Sequence, residues 1–429
     1  MIRRGRHFLQ IPGPTNTPDR ILRAMAAPTI DHRGPEFGEL GREVLAGLKT
    51  VFQTQSPVVI YPASGSGAWE ASLVNTLSSG DAVLGFDIGE FSRNWAVVAR
   101  RLGLDVEMLP GTWRRGVDPD EVGARLARDP EHRIKALLVV HNETSTGVTS
   151  RLPDIRRAID RAGHPALLLV DAVSSVASID LRHDEWGLDV TLAGSQKGLM
   201  LPPGLSFNAI SAKALAASNR AQLPRSYWAW DAMLAANVNG FFPTTPSTNL
   251  LFGLREALRM LVEEGLPGVF TRHRRLAEAA RAAVRAWSLE ILCEREDERS
   301  AVVTTVMMPG GHDADRFRAT VLERFNMSLG AGLGRLKGRT FRIGHLGDFN
   351  ELMLIGTLGG VELGLGAAGV PFTRGGVEAA LAHLSVHGAS EHGERASGAE
   401  RAAKRRASDA VGESEGRSPS DETTPVSGR

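Results

Sequence analysis

The sequence predicts an α/β protein with a large domain built on a mostly parallel sheet and a smaller C-terminal α+β domain. Three observations carry this expectation. Short apolar runs recur between helix-patterned stretches. The runs are mostly apolar, as suits strands covered on both faces. From about residue 266 the order of elements changes. At 429 residues the chain is also too long for one ordinary core.

In chain order, the expected strands of the large domain are PVVIY (57–61), AVLGF (82–86), ALLVV (136–140), ALLLV (166–170), DVTLAG (189–194) and LSFNAI (205–210). RLPDIRRAIDRAG (151–163) and TNLLFGLREALRMLVEEG (248–265) carry the helical period, the second closing on Gly265 as a C-cap. Beyond it a long helix, a strand near VVTTVMM (302–308), a helix around 313–325, a strand TFRIGHL (340–346) and a last helix through 362 form the smaller domain. The expected divisions are an N-terminal segment (1–25), a large domain (26–265), a small domain (266–385) and a tail (386–429). The stretch 388–429 contains no Leu, Ile, Met, Phe, Trp or Tyr, so it is expected to stay disordered.

Fifty Lys and Arg balance 49 Asp and Glu, leaving no net field to hold nucleic acid or a membrane surface. The single Cys293 cannot form an internal disulfide, no Cys/His cluster has zinc spacing, and no metal site is expected. The N-terminus has no apolar signal core, and no apolar run is long enough to span a bilayer. A soluble cytoplasmic protein acting on small molecules is expected.

Four stretches place polar or small residues just after a strand, where open parallel sheets bind ligands. YPASGSGAWEASLVNTL (61–77) runs from a strand through Ser64, Gly65, Ser66 and Gly67 into a helix. Glycines admit the backbone to an anion, and the helix start supplies free N–H groups. No Gly-Lys-Ser/Thr comes after it, and Glu70 stands where a dinucleotide fingerprint needs its third glycine. In ALLLVDAVSSV (166–176), Asp171 ends an apolar strand. In GSQKGLMLPPG (194–204), Lys197 comes after the next strand, 197 − 171 = 26 residues later. A phosphate cradle, a strand-end carboxylate and a strand-end lysine are the contacts that pyridoxal phosphate requires: the carboxylate keeps the ring nitrogen protonated and the lysine amine condenses with the aldehyde. A desolvated lysine also has a larger nucleophilic fraction. VVHNETSTGV (139–148) adds Thr144, a candidate donor to cofactor or substrate, and Phe91 in DIGEFSRNW (87–95) is a candidate ring for stacking.

FLQIPGPTNTP, ASGSGAWEASLVNTL, HNETSTGV, LLLVDAVSSV, DEWGLDV, GSQKGLMLPPGL, PSTNLLFGLREAL and FRIGHLGDFNE together resemble the class V, fold-type I pyridoxal phosphate aminotransferases, most closely the serine:glyoxylate group. The resemblance runs from about residue 7 to 372. It implies that Lys197 is the Schiff-base lysine and that Asp171 pairs with the pyridine nitrogen. It further implies that Ser64, Gly65 and Ser66 form the phosphate loop, that Gln196 contacts the cofactor, and that Thr144 touches cofactor and substrate. Phe91 would stack on the ring, with Val173 on the opposite face. Thr244 and Thr245 would reach a phosphate across a homodimer interface with shared active sites, although Phe241 and Thr244 stand where the group often has tyrosines. Arg342 would clamp the substrate carboxylate, a task suited to a bidentate guanidinium. The implied reaction moves the amino group of L-serine to glyoxylate, giving hydroxypyruvate and glycine in a ping-pong cycle.

Alanine and aspartate are the alternative donors, the choice depending on the pocket around His32, Arg33 and a second subunit. A cysteine desulfurase would need a mobile nucleophilic thiol, and Cys293 lies in SLEILCERE (288–296), which is expected to form a strand. A non-catalytic amino-acid-binding protein would be expected to have lost the lysine, which is present.

Overall fold

The computed structural model describes residues 5–386. The tail expected over 386–429 lies, from residue 387 onward, outside the described residues. Contacts divide the chain into a compact unit ending at Leu381 and a second beginning at Ala382. Of the second, residues 382–386 are described and are helical.

The first unit contains two main sheets. Its strands, in chain order, are β1 (Phe8–Gln10), β2 (Val58–Tyr61), β3 (Ala82–Phe86), β4 (Asp105–Leu109), β5 (Ile134–Val140), β6 (Asn142–Glu143), β7 (Val148–Thr149), β8 (Leu167–Asp171), β9 (Val190–Gly194), β10 (Ser206–Ile210), β11 (Val303–Met307), β12 (Met327–Ala331) and β13 (Thr340–Gly344). A seven-stranded sheet has the order β2-β10-β9-β8-β5-β3-β4, and a four-stranded sheet the order β1-β12-β13-β11. In the larger sheet β10 alone runs antiparallel to its neighbours β2 and β9. β8, β9 and β10 are buried along their whole length, the polar Asp171, Thr191, Ser206 and Asn208 included. Helices cover both faces. The helix Leu152–Arg161 buries Leu152, Ile155, Ala158 and Ile159, one stripe at helical spacing.

The six expected strands of the large sheet are all present, within two residues at each end. β4 was not foreseen because it is an edge strand whose Asp105 and Glu107 face solvent, a composition that protects edges and hides strands from an apolar search. β12 reads MSLGA, too polar and glycine-rich to stand out. β1 is only three residues long and draws the expected N-terminal segment into the smaller sheet, parallel to β12. Gly265, at φ 76°, ends the helix Thr248–Glu264 and begins Leu266–Ala286, its N–H bonded to the Leu261 carbonyl. The helix expected to finish at 362 continues to Ala367.

The helix Pro35–Phe52 lies against the loop at Gly240 with no room for a side chain on either partner. A methyl on Gly41 would overlap the Gly240 carbonyl, and one on Gly240 would overlap the Gly38 carbonyl. Backbone cannot rotate away, so Gly41→Ala is expected to destabilise the protein by about 1–3 kcal/mol in urea unfolding. Gly268→Ala, whose methyl meets only Glu264 Cγ at 3.5 Å, should be neutral or stabilising in the same experiment.

Candidate active site

Register brings the ends of the central strands to one edge. Tyr61 of β2 and Gly194 of β9 both pair with Ser206, the first residue of β10. Asp171 of β8 pairs with Val140 of β5 and Leu192 of β9. The polar residues just beyond these strands therefore face one space, the carboxyl edge of the sheet.

After β2 the chain turns into the helix Gly65–Thr76. Its N-cap, Ser64, is extended and makes no side-chain capping bond; the Gly67 N–H goes to the Ser64 carbonyl, which leaves those of Gly65 and Ser66 for an external acceptor. A methyl on Gly65 would stand 2.6 Å from Val173 Cγ2, and one on Gly194 3.0 Å from Gln196 Oε1 and 3.5 Å from the Gly65 nitrogen. Gly65, Val173 and Gln196 are thus mutual neighbours. Gln196 Oε1 is buried without a hydrogen-bond partner, an orphaned acceptor that a ligand donor would satisfy.

Asp171 is 4 % exposed. Its Oδ1 accepts the Val173 N–H and its Oδ2 the Trp69 indole N–H, both at 2.8 Å. Burial pushes the carboxyl up to about 6, against the pull of these two donors and the Lys197 charge. Lys197 is 9 % exposed and donates from Nζ to the Pro12 carbonyl at 2.6 Å. Burial first, then the nearby Arg342 charge, lowers its amine to about 8, while Asp171 raises it. A lysine so placed exchanges protons near neutral pH.

Arg342, on β13 of the smaller sheet, is 7 % exposed and reaches the same space. Its Nε donates to the Ala331 carbonyl at 2.7 Å and its Nη1 to the Thr144 carbonyl at 2.9 Å. Two of five guanidinium N–H groups are so used, and no ion pair with a described carboxylate occupies the rest. Burial lowers it to about 10, opposed by Glu143. The Thr144 hydroxyl donates to Ser174 Oγ at 2.8 Å, which leaves its oxygen as an acceptor. Glu143, fully buried, accepts the Ser92 N–H at 3.0 Å and the Phe91 N–H at 3.4 Å, so it caps the helix Glu90–Arg101 at whose start Phe91 stands.

Of the residues singled out in the sequence, Ser64, Gly65, Ser66, Asp171, Val173, Gln196 and Lys197 are gathered by the sheet edge, and Thr144 and Arg342 by their hydrogen bond. Thr244 and Thr245 are exposed in the single chain, and Thr244 lines a small cleft with Ile60 and Pro62, just before the Ser64 turn. Trp69, Pro12 and Glu143 escaped the sequence reading. A tryptophan just inside a glycine-rich helix start and a carboxylate within HNETSTGV were available signals; a backbone carbonyl leaves none.

The class-V aminotransferase family model matches residues 7–334. The chain belongs to the class-V aminotransferase family. It is 47% identical over 389 residues to a serine--glyoxylate aminotransferase of Methylorubrum extorquens, covering 89% of this chain and 97% of that protein. It is 43% identical over 375 residues to an L-aspartate--glyoxylate aminotransferase of Paracoccus denitrificans, covering 87% and 95%. The crystal structure of ureidoglycine-glyoxylate aminotransferase from Bacillus subtilis superposes with a TM-score of 0.82 at 27% identity, over 90% of this chain and 99% of that one. These aminotransferases imply pyridoxal phosphate, and the donor set fits it: an uncapped helix start, an orphaned Gln196 acceptor, a buried carboxylate and a sheltered amine converge on one edge.

Cys293 is not in a strand, contrary to expectation; only Ile291 makes an isolated bridge, to Val306. Its thiol is 1 % exposed and burial pushes it up to about 11, the opposite of what a nucleophilic cysteine needs. Alkylation by iodoacetamide at neutral pH is therefore expected to run about a hundredfold slower in the folded protein than in urea.

Proposed function

We propose that the enzyme transfers the amino group of L-serine to glyoxylate, releasing hydroxypyruvate and glycine, with pyridoxal phosphate held by the residues gathered at the sheet edge. The observation that carries the reading is the meeting of Lys197, Asp171 and Arg342 in one buried space of a class-V aminotransferase. Bound there, pyridoxal phosphate supplies an aldehyde that condenses with amines and a protonated ring that withdraws electrons from the attached carbon.

This chain's residues do the rest. The backbone N–H groups after Ser64 and the side chains of Ser64 and Ser66 hold the phosphate. Asp171 would hold the proton on the ring nitrogen, Gln196 would offer its free acceptor, and Phe91 and Val173 would pack against the ring. Lys197 takes the proton from the donor's α-carbon and returns one during the second half-reaction; an amine near neutral pH serves as both base and acid. Arg342 binds the α-carboxylate of donor and acceptor in turn with its unused N–H groups, which accounts for one site serving serine, glyoxylate and both products. Thr244 and Thr245 of a second copy complete the phosphate site in a homodimer, consistent with their exposure in the single chain. Among the described residues no helix is long and apolar enough to cross a membrane, and the lone reduced cysteine supports a cytoplasmic location.

The resemblance to an aspartate-using relative keeps a second reading in view, with aspartate, or alanine, as donor. Incubating the holoenzyme with glyoxylate and each donor separately decides between them. Hydroxypyruvate and glycine should form fastest from serine; oxaloacetate formed faster from aspartate would move the assignment. Lys197→Ala should abolish turnover with every donor, and normal rates in that variant would end the proposed proton transfer. Arg342→Ala should weaken binding of both donor and glyoxylate by about 2–5 kcal/mol, the cost of stranding one member of a buried charge pair, so unchanged Michaelis constants would place the clamp elsewhere.

A further inference from the structure

Trp69 sits one turn into the helix Gly65–Thr76 and is 5 % exposed. Its ring stacks on Trp95, with centroids 6.1 Å apart and planes 16° apart. The fixed ring aims its N–H at Asp171 Oδ2, 2.8 Å away, while Oδ1 is held by the backbone N–H of Val173. A buried carboxylate with a donor on each oxygen can neither rotate nor lose its charge cheaply.

We propose that Trp69 is a positioning residue for Asp171: its indole N–H fixes the carboxylate's orientation and supplies one of the two donors that stabilise its negative charge. The inference rests on the cofactor reading, since an ionised Asp171 is what a protonated ring nitrogen requires. The groups facing Asp171 are consistent with this need. From the turn after β9 comes Lys197, which favours the charged form. From β6 comes Glu143, whose proximity opposes a second buried anion; the His141 ring, after β5, bonds Ser175 instead, and burial lowers it to about 4. From the helix side only Trp69 contributes, so burial, which holds Asp171 near 6, is offset there by a single N–H.

Removing the indole N–H while keeping an aromatic ring on Trp95 isolates this role, and Trp69→Phe does so. Pyridoxal phosphate binding to the cofactor-free protein is titrated by its absorbance across pH about 5 to 8, a range that brackets an ordinary and a raised carboxyl. In wild type, affinity should fall as pH drops through about 6, where Asp171 takes up its proton. In Trp69→Phe that midpoint should rise by about one pH unit, the shift expected for one lost hydrogen bond to a charge, so that affinity is about tenfold weaker at pH about 5 and about twofold weaker at neutral pH. An unchanged midpoint and affinity would overturn the proposal and leave Trp69 as core packing. A wild type that does not bind pyridoxal phosphate at any pH would instead overturn the cofactor reading.

A second measurement needs neither cofactor nor a stable variant. Among the seven tryptophans, the Trp69 indole N–H signal in nitrogen-15 spectra of the cofactor-free protein should move with a midpoint near 6 as Asp171 titrates. If no indole signal titrates in that range, the proposed link fails whatever the cofactor does.

Discussion

The site depends on keeping one amine almost dry. Lys197 is nearly buried, and the hydrogen-bond acceptor its Nζ has is the carbonyl of Pro12. That carbonyl belongs to a strap that continues from β1 and lies between the two sheets. Thr15 ties the strap to the lysine loop through the Gln196 and Lys197 carbonyls. Three glycines let it pass. A methyl on Gly13 would stand 2.5 Å from Lys197 Cδ and 2.6 Å from its Nζ. One on Gly330 would press on Pro12 and on Arg342, and one on Gly344 on the Ile11 carbonyl. The N-terminal stretch, expected from the sequence only as a segment before the large domain, is the wall that joins the lysine of the large sheet to the arginine of the small one.

Within that enclosure, charge is balanced at a distance rather than by contact. Burial draws protons from both Lys197 and Arg342, and the Arg342 charge adds to the effect on the lysine; Asp171 opposes it at Lys197 and Glu143 at Arg342. No close ion pair with a described carboxylate quenches the guanidinium; backbone carbonyls orient it instead. An arginine held by neutral acceptors keeps its charge for an incoming carboxylate, because a buried ion pair would already have spent its Coulomb energy. Glu143 has a second task in the same place: its carboxylate caps the helix that starts at Phe91, a position where a negative charge is stabilised by the helix dipole.

The larger sheet was legible because its strands are buried on both faces. Continuous apolar runs such as ALLVV and ALLLV can be little else between helical stretches, and the polar residues right after them fall at the same edge by the rules of parallel sheets. For that reason Asp171, Lys197 and the Ser64–Gly67 turn could be read from spacing alone. β4 and β12 were not, since solvent-facing charges and small residues erase the apolar signal at an edge or in a thinly covered sheet. Arg342 took its expected meaning from resemblance, not from its neighbours in the chain; on sequence it is one polar residue in a short strand.

By itself, then, the sequence determined which residues stand at the strand ends, because local pattern decides where a strand stops and which residues come next. Only the tertiary structure decided what those residues face. The Trp69 indole on Asp171, the Pro12 carbonyl on Lys197 and the Thr144 carbonyl on Arg342 join positions 102, 185 and 198 residues apart. Such partners are chosen by the packing of one sheet against another, and two of the three are backbone atoms, which every residue possesses and no sequence pattern marks.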